Sequence, residues 1–366
     1  MRICILTQPL GANYGGILQA FALQKVLRDM GHQVTTLRFM PETAWVPTGI
    51  KKNLLTLRRF ISKYLKGNKK IVFCNPDRQT AYAYKELNRF LEERMDCLNV
   101  TAPLSAGELP SYDAYIVGSD QVWRPAYSPC LPNFYLDFLV GVPVRRIAYA
   151  ASFGVDSWEA DPAMTERIRP LAQRFDAISV RETSGIALCE KYLGVTAEFM
   201  PDPTLLLSQA DYRNLCKPAQ KDQQPYIAAY ILDKGDRELH YLDALSEATG
   251  LPVKIIGQLD WSTSTDSIER WLGALSGADY VVTNSFHGTV FSILFERNFY
   301  TLVNSARGAS RFETLLGTLG LQDRLVDGRT PEASLSSVKN IDYKEINKAI
   351  DSLRQQGLSY LKTQLK

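Results

Sequence analysis

Histidine is the scarcest chemically versatile residue in this chain. Only three occur in 366 residues, so a reaction that needs an imidazole has few places to put it. Cysteine lacks pattern: Cys4, Cys74, Cys97, Cys130, Cys189 and Cys216 show no C-x-x-C spacing. That argues against a zinc site or a redox pair and suits a reducing cytoplasm. No stretch approaches the roughly 18 uninterrupted apolar residues of a membrane-spanning helix. The apolar run at residues 3–6 has the length of a strand, not of a signal-peptide core. A net charge of +3 is too small to make nucleic acid the main partner. What is present is ordinary globular composition, 45% hydrophobic and 22% charged, in a chain long enough for two domains.

Residues 2–7, RICILT, predict a buried strand that runs into QPLGANYGG and then an amphipathic helix. Gly31 stops the helix, and residues 33–39 predict a second strand, giving a βαβ unit. Its glycine-rich turn matches neither a dinucleotide fingerprint nor a P-loop. Asn13, Tyr14 and Gly15 there suit a ligand's polar edge, although a plain connection explains them equally. Residues 41–110 interrupt the rhythm with helical, charged sequence. Within them, residues 51–70 carry eight basic residues and no acidic one. Leu54, Leu57, Phe60, Ile61, Tyr64 and Leu65 share one helical face, the pattern of a helix lying on anionic lipid or packed on its own domain.

The α/β pattern resumes at YDAYIVGSDQVWRP, where Asp120, Trp123 and Arg124 combine an acceptor, a stacking ring and a fork of donors. RRIAYAASFG ends in a small polar turn with Ser152 and Phe153. DAISVRETSG places Arg181 at a strand-to-helix junction, and MPDPTLLL stiffens the chain around Asp202. Residues 217–224 are polar and aperiodic, so the expected domains are 1–216 and 225–340, with a helix at 341–366 reaching back across the interface.

In the second half, ADYVVTNSFHGTVFSILFE predicts strand, tight polar turn and helix. Open α/β sheets bind ligands at that edge. Ser285 is the expected N-cap, the helix start is an anion site, and Gly288 would let a ligand approach. His287, in the first turn, is the catalytic candidate. A later helix start offers Ser310 and Arg311. The fold class is therefore α/β: two doubly wound Rossmann-like domains facing a cleft, the plan of two-domain glycosyltransferases.

NYGGILQAFAL, GSDQVW, AASFG, SVRETSG, PDPTLLL, TNSFHGTVFSILF and SRFETLLGTLGL follow one another over residues 1–325. This ordered set resembles the polysaccharide pyruvyl transferase family. The resemblance implies a glycosyltransferase-B-like, metal-independent enzyme with phosphoenolpyruvate as co-substrate and no further cofactor. It implies transfer of the pyruvate unit to two hydroxyls of a sugar as a cyclic ketal. The implied acceptor is a lipid-linked, undecaprenyl-type glycan precursor, met in the cytoplasm or at the inner face of the plasma membrane through residues 51–70. The family's C-terminal motif is commonly Arg-x-His; its histidine matches His287, but the arginine position holds Ser285. Arg181 and Arg311 are the candidates to replace that charge, joined on the donor side by Asn284, Ser285, Gly288 and Ser310. The acceptor side is expected to use Asn13, Tyr14, Gly15, Asp120, Trp123, Arg124, Ser152 and Phe153. A nucleotide-sugar glycosyltransferase is the alternative, but no base platform or pyrophosphate loop can be assigned. A non-catalytic glycan-binding subunit, the second alternative, has no use for a proton-carrying histidine.

Overall fold

The computed structural model describes residues 1–11, 13–40, 84–216, 224–233, 235–257, 266–303, 308–327 and 340–366. Its first sheet contains β1 (Arg2–Leu6), β2 (Gln33–Phe39), β3 (Cys97–Val100), β4 (Ala114–Val117), β5 (Arg145–Ala151), β6 (Ala177–Val180) and β7 (Glu198–Phe199). All pairings are parallel, in the order β3-β2-β1-β4-β5-β6-β7. The second sheet contains β8 (Ile227–Tyr230), β9 (Val253–Ile255), β10 (Tyr280–Thr283), β11 (Asn298–Leu302) and β12 (Leu325–Val326). It is also parallel, in the order β12-β11-β10-β8-β9. Central parallel strands are covered on both faces and read as near-continuous apolar runs. β4 and β8 are buried at every residue.

Strand order reverses between β1 and β4 in one sheet and between β8 and β10 in the other. The chain leaving those strands therefore opens onto a crevice, where such sheets bind ligands. Helix α1 (Tyr14–Asp29) follows β1 and crosses to β2. The stretch assigned to a helical insert contains α2 (Lys85–Arg94) and β3. β3 pairs with β2, so the end of that stretch belongs to the sheet. The basic segment 51–70 lies outside the described residues. Among them, no helix is long and apolar enough to cross a membrane. Helices α3 (Pro162–Ala172), α4 (Ser184–Leu188) and α5 (Gln209–Arg213) complete the first half. The second half has α6 (Asp236–Thr249), α7 (Ile268–Ser276), α8 (Phe286–Leu294) and α9 (Ser310–Thr318).

The final helix α10 (Tyr343–Gln364) touches both halves. The Tyr343 hydroxyl donates to the Arg297 carbonyl at 2.6 Å, and Arg354 donates to the Leu207 carbonyl at 3.2 Å. One apolar cluster also runs from Ile3 and Leu18 through to Trp271 and Phe291.

Tyr14 is the anchor of this contact. Its ring stacks on Trp271 with centroids 5.2 Å apart, and its hydroxyl donates to the Asp266 carbonyl at 2.9 Å. Arg89 of α2 reaches Glu269 of α7 through two hydrogen bonds of 3.0 and 3.1 Å. Tyr14 therefore joins the domains and does not present its ring to a sugar. Tyr14→Ala should cost about 3–5 kcal/mol, the usual range for removing a buried aromatic ring. Urea unfolding measures this, with acceptor KM as the contrasting readout for a ligand contact.

Candidate active site

Ser285 begins α8 as its N-cap, accepting from the Gly288 N–H at 3.3 Å. Asn284 is tied to the chain leaving β8: its Oδ1 accepts from Leu232 N–H at 2.7 Å, and its Nδ2 donates to the Asp233 carbonyl at 3.0 Å. These bonds fix the turn, so His287 enters the crevice in a defined direction. Every residue of α8 is buried, and His287 itself is only 4% exposed. Its Nε2 lies 3.5 Å from Asp202 Oδ2, across the domain interface. Its other flank meets Gly15 of α1, where a Cβ would collide with Nδ1 and Cγ of the ring. Glycine is required at 15 because the histidine takes that space.

Asp202 is the hub of the charged cluster. Its Oδ1 accepts from the Thr204 N–H (3.0 Å) and hydroxyl (2.7 Å), and its Oδ2 from Arg181 (2.7 Å) and Ser119 (3.2 Å). Burial alone would raise the carboxyl's pKa. The neighbouring His287 ring, then the charge of Arg181 and the hydrogen bond from the Thr204 hydroxyl, hold it well below the usual carboxylate range. Arg181 also reaches Asp120 at 3.5 Å. Asp120 has φ +70, an uncommon conformation that Asp tolerates better than most side chains.

Arg311 differs from Arg181. It is 7% exposed and has no carboxylate or hydrogen-bond partner among the described residues. Its guanidinium carbon lies 6.0 Å from the Phe286 ring centroid, and that of Arg181 lies 4.4 Å from the same ring. Burial and then repulsion from Arg181 bring the Arg311 pKa down to about 10. Arg311, Arg181, Asp202 and Phe286 line one cavity, walled by Phe199, Pro201, Leu315 and Leu353. Ser310 Oγ and Ser184 Oγ are buried without partners. The segments carrying these residues meet at Thr183 and Thr314 of α9 and at Gly154 and Gly308, where a Cβ on Gly308 would overlap the Gly154 carbonyl. A buried, unpaired guanidinium beside a helix start and unsatisfied hydroxyls is equipped to receive an anion.

A sequence model described as polysaccharide pyruvyl transferase matches residues 13–306. The chain belongs to the polysaccharide pyruvyl transferase family. His287, Asp202, Arg181 and Gly15 all fall inside the matched span; Arg311 falls just beyond it. A comparison with curated proteins returned no match. Among solved structures, Arabidopsis thaliana UGT89C1 complexed with UDP-L-rhamnose aligns over 98% of this chain and 94% of its own, at 9% identity and TM-score 0.50. The Streptomyces sp. SF2575 glycosyltransferase SsfS6 aligns over 98% and 96%, at 12% identity and TM-score 0.40. At 9% identity the first likeness concerns the fold alone: the GT-B arrangement of two Rossmann-like domains.

Several residues expected at this pyruvyl transferase family site have other work in the structure. Trp123 is 1% exposed, stacks on Tyr135 at 5.1 Å and donates to the Phe134 carbonyl, so neither ring face is free for a sugar. Arg124 is held by Glu159 through two 3.0 Å bonds. Ser152 and Phe153 serve Glu182, whose Oε1 accepts from the Ser152 hydroxyl (3.0 Å) and the Phe153 and Gly154 N–H groups (2.7 and 3.0 Å). Gly288 packs on the Thr283 side chain, so its small size serves helix-on-strand packing, not ligand approach. Asn13 stands exposed before α1 without capping it.

Asp202 and Glu182 are the residues that sequence reasoning left out of the site. The signal for both was present, in PDPTLLL and SVRETSG. Among the described residues, no group of three or more His, Cys, Asp or Glu is placed to hold a metal ion.

Proposed function

We infer that this chain transfers the pyruvate unit of phosphoenolpyruvate to two hydroxyls of one sugar as a cyclic ketal, releasing phosphate. Family membership supports the transferase class. The observation that supports an anionic donor is Arg311, a buried cation left unpaired beside the helix that carries His287. Phosphoenolpyruvate brings a phosphate and a carboxylate, and burying either against Arg311 removes an unfavourable isolated charge.

The chemistry then needs one proton carrier. A proton must reach the methylene carbon while the first sugar hydroxyl adds to the adjacent carbon and gives up its own. Phosphate departs with its bridging oxygen, leaving an oxocarbenium-like centre. The second hydroxyl closes the ketal and releases its proton to phosphate or solvent. His287 at the domain interface can deliver the first proton and accept from a hydroxyl, a role typically worth about 10²–10⁴-fold. The acceptor is proposed to be a lipid-linked glycan precursor of a surface polysaccharide.

The test is phosphate release from phosphoenolpyruvate in the presence of galactose-type and N-acetylhexosamine acceptors. Release that depends on the acceptor is expected. Release of a nucleoside diphosphate from a nucleotide sugar, with none from phosphoenolpyruvate, would assign the cleft to glycosyl transfer.

A further inference from the structure

Asp202 and His287 come from different domains, and the details of their contact say which ring nitrogen works. Asp202 Oδ1 is filled by the two Thr204 donors, while Oδ2 faces Arg181, Ser119 and His287 Nε2. An ionised carboxylate only accepts, so a neutral imidazole facing it carries its hydrogen on that side. The 3.5 Å separation is long for a formed hydrogen bond, and bonds of this kind shorten when substrate closes a site. Gly15 packs against the Cβ–Cγ–Nδ1 side of the ring, where an added Cβ would overlap all three atoms.

We propose that Asp202 is a positioning residue that fixes His287 with its hydrogen on Nε2 and leaves Nδ1, at the start of α1, to exchange protons with substrate. The part concerning substrate rests on the reading of the site as a pyruvyl transferase. Because Asp202 and Gly15 belong to the first domain and His287 to the second, the arrangement exists only while the domains are together. A carboxylate that orients a histidine from behind is a known way to select its tautomer.

The tautomer can be read without any substrate. In protein labelled with ¹⁵N-histidine only three imidazoles contribute, and the His287→Gln spectrum identifies the one of interest. At alkaline pH the wild-type ring is expected as the Nε2–H form, and Asp202→Asn is expected to remove that preference. The same substitution should lower kcat at least about tenfold while leaving the phosphoenolpyruvate KM within about threefold.

Gly15→Ala keeps the carboxylate but forces the ring from its seat, because the methyl group would overlap Nδ1, Cγ and Cβ; kcat should again fall at least about tenfold. An Nδ1–H ring in the wild-type protein overturns the proposal even where Asp202→Asn does not fold. So does an Nε2–H ring that folded Asp202→Asn leaves unchanged, and unaltered turnover by folded Gly15→Ala shows that the reaction does not need the ring held in this place. An Nε2–H ring that depends on Asp202, in a protein that makes no ketal, would confirm the positioning and refute the assigned reaction.

Discussion

His287→Gln lowers kcat at least about a hundredfold and leaves phosphoenolpyruvate binding much less affected. Glutamine keeps a hydrogen-bonding group of similar reach but cannot carry a proton between a hydroxyl and a carbon. His287 is only 4% exposed and packed between Asp202 and Gly15, so the substituted side chain stays in the same place. Steady-state kinetics give the loss in turnover, and calorimetry on the variant gives donor affinity. Near-normal turnover by the folded variant would make His287 a structural residue of the interface.

The second large effect has two signs. Arg311→Met raises the phosphoenolpyruvate KM roughly tenfold to a hundredfold, the equivalent of losing one charge-assisted contact of about 1.5–3 kcal/mol. The same substitution stabilises the ligand-free protein by on the order of 1–4 kcal/mol, because a hydrophobic side chain replaces a buried ion. The sign follows from the charge. The folded-state pKa of Arg311 lies at about 10, below its ordinary value, so the native fold disfavours the protonated form throughout the neutral range. Removing the cation relieves that penalty and removes the anion's partner together. Thermal unfolding with and without phosphoenolpyruvate separates the two: the ligand should raise the midpoint of the wild type much more than that of the variant. A variant less stable than wild type, with unchanged KM, would show that Arg311 has a structural partner. Arg181 makes the contrast. It is ion-paired to Asp202 and Asp120, so Arg181→Ala should lose stability by breaking a buried pair.

The elements nearest to the chemistry were the most legible in the sequence. β10 spans Tyr280–Thr283 and α8 starts after its cap Ser285, the strand, tight turn and helix that ADYVVTNSFHGTVFSILFE predicts. Local patterns of this kind depend on neighbours a few residues away. The direction of a side chain at a strand end does not. Trp123 and Arg124 follow β4 at the crevice edge, yet the turn after Gly118 sends the indole inward to Tyr135 and the guanidinium to Glu159. Tyr14 stands among glycines in a stretch that reads as a ligand-facing turn, but its partner Trp271 lies in the other domain. Asp202 was passed over for a similar reason. Between two prolines it reads as a rigid turn, while the groups that give it a role, Arg181 and His287, are distant in sequence and converge only in the folded interface. Motif order identified the family; which residues touch one another required the assembled domains.

The most direct measurement of the central claim is the product formed from phosphoenolpyruvate and a sugar acceptor in deuterium oxide, analysed by mass spectrometry and NMR. The account predicts that the acceptor gains the mass of pyruvate less one water. It also predicts a ketal methyl group carrying a single deuteron and an equal amount of phosphate released. Phosphate released without a sugar-bound methyl group, or a glycosylated acceptor in its place, would contradict it.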